Sequence, residues 1–230
     1  MSKTTKHVLG NQRGRIGNIV GRVVDGIQLY SAYSGCGHDK QSPKQMAHRK
    51  RFGIVAGLAY SLDGAVWVGL AHAASLKPMT SQRNIFIKKN IRCVEYDIAT
   101  ETVTVDYESL VVAEGPVPEL PFSAAAFDVA GKVSVTFPTT TDSDMGLLAE
   151  DRVYVAVYSP VLKKGMLAIA ERSDGSATLT LPANWSGKTV HVWGFVRTSV
   201  EESTHFDTVG IILNPGDCSP SSYLGSGTIG

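Results

Sequence analysis

The sequence predicts an α+β, mainly β fold: an N-terminal β-hairpin with short helices, followed by a C-terminal immunoglobulin-like β-sandwich. Three observations predict it. Two β-branched runs flank Asp25-Gly26, apolar residues recur every three or four positions between 42 and 92, and beyond Cys93 the apolar period drops to two. A period near 3.6 marks a helix face and a period of two marks a strand face.

Ile16 to Val24 and Ile27 to Tyr33 read as the hairpin, because Asp-Gly suits a two-residue type I′ turn with positive φ at both central positions. That turn pairs Val24 with Ile27, Arg22 with Leu29 and Val20 with Ser31. An isolated two-stranded hairpin is marginal in water, so docking on another surface is expected. The stretch SGCGHDKQ reads as a flexible connection. Ser42-Pro43-Lys44-Gln45 then matches a helix start, with Ser42 as N-cap and Pro43 at the first helical position. This helix should reach about Leu62, burying Phe52, Val55, Ala59 and Leu62 and leaving Lys44, His48 and Arg51 wet. A break near Asp63-Gly64 separates it from a second helix over 65–76 that stops at Pro78. A third runs from Gln82 to Arg92, capped by Thr80 or Ser81.

Val103, Val105 and Tyr107 open the alternating region, and the three prolines between Gly115 and Pro121 read as a linker or edge. Seven strand candidates follow, at 122–129, 131–137, 151–158, 166–172, 176–182, 188–198 and 205–213. Short alternating strands at such spacing argue for a two-sheet sandwich. The expected organisation is a basic hairpin-plus-helices module (1–93), a connecting strand segment (94–114), the sandwich (115–214) and a flexible Gly/Ser tail (215–230).

Charge divides along the same line. The chain has 230 residues and a net charge of +1, yet residues 1–93 hold 15 Lys and Arg against three acids, a net +12, and residues 94–230 hold seven against 18, a net −11. A basic half of that size calls for an anionic partner. Cys36, Cys93 and Cys218 form neither a CxxC nor a Cys/His cluster, so a disulfide framework, a zinc site and, more broadly, a cofactor are not expected. The start has no apolar core of a secretory signal, which predicts a cytoplasmic or virion setting. Asp63 and three glycines dilute the apolar run 54–76, so no membrane span is expected.

Taken in order, Gly14 to Gly21, the basic helix opening Ser42 to Phe52, Glu150 to Val155 running into Val157 to Pro160, Arg172 to Ser176, Leu179 to Pro182 and His191 to Phe195 resemble the DUF6266 family of uncharacterised proteins from Bacteroidota and their mobile elements. The resemblance implies a non-enzymatic protein, of the structural type carried by phages and mobile elements.

No nucleotide, hydrolase or zinc-protease motif occurs, and no enzyme is expected. His191, flanked by Val190 and Val192, reads as a structural sheet histidine. Asp142, Asp144, Glu150 and Asp151 read as a solvated acidic loop without calcium-loop spacing. The candidate contact residues are the cations Arg13, Arg15, Arg22, Lys44, Arg49, Lys50, Arg51, Lys88, Lys89 and Arg92. As an isolated run they would be an ordinary solvated face; the segment total turns them towards a partner. The expected role is structural self-assembly, the basic module of one copy meeting an acidic surface of the next copy or of another protein of the assembly. The alternative is nucleic-acid binding by the same cations, although few aromatics accompany them in sequence.

Overall fold

The structure is a computed structural model and describes residues 2–4, 12–24, 26–35, 42–77, 80–127, 129–142, 146–206 and 210–230. Asp25, the 36–41 stretch, Pro78, Asp144 and the middle of the last strand candidate lie outside the described residues. The fold mixes helices with a majority of strands in several antiparallel sheets. The chain divides into two compact units, Met1–Ser42 and Pro43–Gly230.

The first unit is a four-stranded antiparallel sheet of β1 (Ser2–Thr4), β2 (Gly14–Ile16), β3 (Ile19–Val24) and β4 (Ile27–Ala32), in the order β1-β4-β3-β2. The hairpin register is the expected one: Val24 faces Ile27, Arg22 faces Leu29 and Val20 faces Ser31. The run from Ile16 is not one strand, however. It breaks at Gly17 (φ 59°), and Ile16 folds back opposite Ile19. Gly21 has no room for a side chain, because a Cβ there would lie 2.9 Å from the Gln12 carbonyl oxygen. The buried Gln28 side chain closes the sheet, exchanging two 2.8 Å hydrogen bonds with the Gln12 backbone.

The second unit opens with α1 (Pro43–Ser61), α2 (Asp63–Gly69), α3 (Ala71–Ser75) and α4 (Gln82–Asn90). The break at Leu62 matches the expected one, and the chain bends there by 86°. No single helix among the described residues is long and apolar enough to cross a membrane. Ser81 caps α4, its Oγ accepting from the Asn84 amide at 3.3 Å. Strands β5 (Val94–Tyr96) and β6 (Val103–Val105) form a small hairpin. Then come β7 (Lys132–Thr136), β8 (Arg152–Ser159), β9 (Lys164–Glu171), β10 (Ser176–Thr180) and β11 (Thr189–Arg197), with β12 (Thr204–Phe206), β13 (Ile211–Leu213) and β14 (Ser222–Thr228) after them.

The centre is the sheet β14-β11-β8-β9, and alternation sorts its two faces. Tyr154, Ala156, Tyr158, Trp193 and Phe195 share one core with Val55, Leu58, Leu62, Val66, Ile85 and Phe86 of the helices. Val153, Val155, Val157, Val190, Val192 and Val196 share another with Val133, Val135, Ala177, Leu181 and Trp185 from the ribbon β7-β10 and its surroundings. Helices therefore cover one face of the sheet and the ribbon covers the other.

This arrangement corrects four expectations. The helices do not complete a module with the hairpin; they belong to the strand unit, so the compact boundary falls at Ser42 and not at Cys93. Residues 215–230 are not a free tail, since β14 pairs along β11 and Ile229 is buried. The proline segment 115–121 is packed, with Val117 and Leu120 buried and the Val117 amide donating to the Cys218 carbonyl. Finally, Val55, Ala59 and Leu62 are buried as expected, but Phe52 is exposed and Arg51 half-buried, because the inward stripe of α1 runs through 51, 55, 58 and 59.

Candidate functional site

The expected cations are divided between the two units. Arg13, Arg15 and Arg22 belong to the first unit, all exposed. Arg15 is held in place, its guanidinium 3.6 Å from the Tyr33 ring centre and its Nε donating to the Gly17 carbonyl at 2.8 Å.

In the second unit two cations serve the fold. Arg51 Nη2 donates to the Ile91 carbonyl at 2.7 Å, tying α1 to the end of α4. Lys89 pairs with Glu114. Lys44, Lys88 and Arg92 are exposed. Arg49 and Lys50 line a groove of about 530 Å³ along α1, which Val105, Tyr107, Tyr158 and Lys163 complete.

This groove takes Gly53 and Gly57 from α1, Tyr60 from the end of that helix, Tyr107 from the loop after β6, and Tyr158 and Lys163 from the β8–β9 region. A Cβ added at Gly53 or Gly57 would meet nothing within 4 Å, so the two glycines leave an open step on the helix wall. Each costs the helix about 1 kcal/mol relative to alanine, and packing does not require either. Lys163 has a φ of 52°, in the left-handed region where glycine or asparagine is at ease, and its carbonyl accepts from Ser61 Oγ at 2.8 Å. Tyr60 is 72% exposed, and its ring is steadied by Arg83 at 5.3 Å, itself held by Asp63 at 2.9 Å. Tyr158 is only 5% exposed. Neither the Tyr107 nor the Tyr158 hydroxyl has a hydrogen-bond partner among the described residues. Burial pushes the Tyr158 phenol up to about 12, with Tyr107 adding to the shift, so it stays a neutral donor. Sequence spacing hid this arrangement, since Tyr107 and Tyr158 join the basic run only through tertiary packing.

Behind the groove, Tyr107 stacks on His191 at 3.8 Å, and His191 Nδ1 lies 2.9 Å from the Tyr223 hydroxyl. Burial pulls the His191 pKa below its usual 6.5. The unfolded chain thus takes up this proton at a higher pH than the folded one, and stability falls as pH drops from about 6.5 towards the lowered value. Urea midpoints measured across that window should decline less steeply for His191→Gln than for the parent protein.

A second concavity, of about 950 Å³, lies at the end of the central sheet. Glu150, Glu171, Glu201 and Glu202 line it, with Arg152 and Arg197 set side by side by the sheet register. Among the described residues no ion pair neutralises any of the four glutamates. Asp151, by contrast, turns inward and pairs with the buried Arg172, so the expected solvated acidic loop holds for Glu150 and not for its neighbour. No group of three or more metal-ligating side chains occurs among the described residues.

A family model described as a family of unknown function, DUF6266, matches residues 11–205. No curated protein and no solved structure matches the chain.

Proposed function

The chain belongs to the DUF6266 family, whose function is unknown, and from that premise we propose a non-enzymatic structural protein, of the virion or mobile-element type, that assembles with copies of itself. The observation that carries this reading is the charge contrast between layers of one unit. The helical segment 43–93 holds nine Lys and Arg against one acid, a net +8, whereas the strand segment 94–230 is −11. Helices occupy one side of the central sheet, and the glutamate-lined cleft lies at the sheet's end. A unit with such poles favours a heterologous contact, helical face to acidic cleft, which closes into rings or extends into filaments. We read the central sheet and the facing ribbon as an immunoglobulin-like sandwich. Residues 122–127 support this, because the Ala125 amide reaches β14 and the Ala126 amide reaches β7, as a strand shared at a sandwich corner does.

Sedimentation of the full chain at low and high salt tests the proposal. Large species at low salt should dissociate as salt screens the contact. The double variant Glu201→Lys/Glu202→Lys should stay monomeric, and so should Lys44→Glu/Lys88→Glu; mixing the two should restore assembly. A parent protein that remains monomeric at high concentration and low salt sinks the idea.

A further inference from the structure

The α1 groove has features that the assembly contact does not use. Its lining has three cations and no carboxylate, which selects an anionic group. It also offers aromatic surface for a flat ring: Tyr60 is exposed, with Arg83 beside one face, and Tyr107 is half-buried, with one face already stacked on His191. Gly53 and Gly57 leave the α1 wall of the groove bare for close approach. The Tyr107 and Tyr158 side chains both line the groove, and neither hydroxyl has a hydrogen-bond partner among the described residues. A strained backbone at Lys163 holds a lysine where glycine would relax it. A simple anion has no use for the rings, and an apolar peptide has no use for three cations. The volume, about 530 Å³, lies in the range of small-ligand sites.

We propose that this groove binds nucleotide units, the base lying against Tyr60 and Tyr107 over the glycine step and the phosphate held by Arg49, Lys50 and Lys163. The ligand is either a free nucleotide or one unit of a single strand, since a duplex hides its base faces. The site is independent of the assembly contact, which draws on Lys44 and Lys88.

Fluorescence anisotropy of the full chain with a labelled oligothymidylate, alongside calorimetry with thymidine monophosphate, tests this. Oligonucleotide binding is expected, weakened about tenfold by Gly57→Leu, the loss of one good stacking contact. The thermal midpoint should not fall, because leucine is the better helix former. Lys163→Gly should weaken binding and reduce the salt slope by about one phosphate contact. Monophosphate binding as tight as that of the oligomer assigns the site to free nucleotides; binding of the oligomer alone assigns it to a strand, and both outcomes support the site. The proposal is overturned if no probe binds at low salt, if a duplex binds as well as the single strand, or if neither variant changes the affinity.

Discussion

Replacing Asp151 with alanine should lower the unfolding free energy by about 3–5 kcal/mol, a large share of the 5–15 kcal/mol typical of a domain. The carboxylate is fully buried and accepts four hydrogen bonds. Oδ2 receives the Leu148 amide at 3.0 Å and Arg172 Nη2 at 3.2 Å, while Oδ1 receives the Ser199 amide at 3.0 Å and the Ser199 hydroxyl at 3.2 Å. Three segments are thus tied at one point: the turn before β8, the turn after β9 and the exit from β11. Losing the carboxylate also strands Arg172, whose Nε and Nη1 are buried and already without hydrogen-bond partners. The penalty arises mainly from that uncompensated cation, since a buried ion pair adds little over apolar residues of similar volume. Asp151→Ala combined with Arg172→Met should therefore recover much of the loss. Urea unfolding of the single and double variants measures this coupling, and equal destabilisation in both would show that the hydrogen bonds to Leu148 and Ser199 dominate instead.

Local chemistry made the hairpin register, the start of α1 at Pro43 and the break before Asp63 legible, because each depends on residues a few positions apart. The errors share a cause. Alternation in β8 is read from valines at 153, 155 and 157, yet Tyr154, Ala156 and Tyr158 between them are apolar enough to be buried too. A run apolar on both faces signals a strand covered on both sides, and that would have placed the helices on the sheet. The charge division at Cys93 misled for the same reason: it marks a change of layer, not a domain boundary. At the candidate site the sequence revealed Arg49 and Lys50 but not Tyr107, Tyr158 or Lys163, which reach the groove only through the docking of α1 on the sheet.

Ending the chain after Asn214 should abolish cooperative folding of the second unit. Composition alone makes residues 215–230 look dispensable, being rich in glycine and serine. In the fold they supply the edge of the central sheet, pairing with β11 from Thr189↔Thr228 to Gly194↔Ser222. They also bury Leu224 and Ile229, each worth about 2–5 kcal/mol on truncation to alanine. Asp217 is lost as well, leaving His72 Nδ1 without its partner at 2.7 Å, and the Ser219 hydroxyl that caps the Val196 amide at 2.9 Å goes with it. Together these terms are comparable with the whole stability of a typical domain. The glycines in β14 are part of the docking: a Cβ at Gly227 would lie 2.4 Å from the Phe127 ring. Gly227→Val should consequently loosen the strand without removing it. Hydrogen exchange of the β11 amides reads both changes. Faster exchange in Gly227→Val and loss of the far-ultraviolet strand signal in the truncated chain are expected; unchanged protection in both would return the segment to the status of a tail.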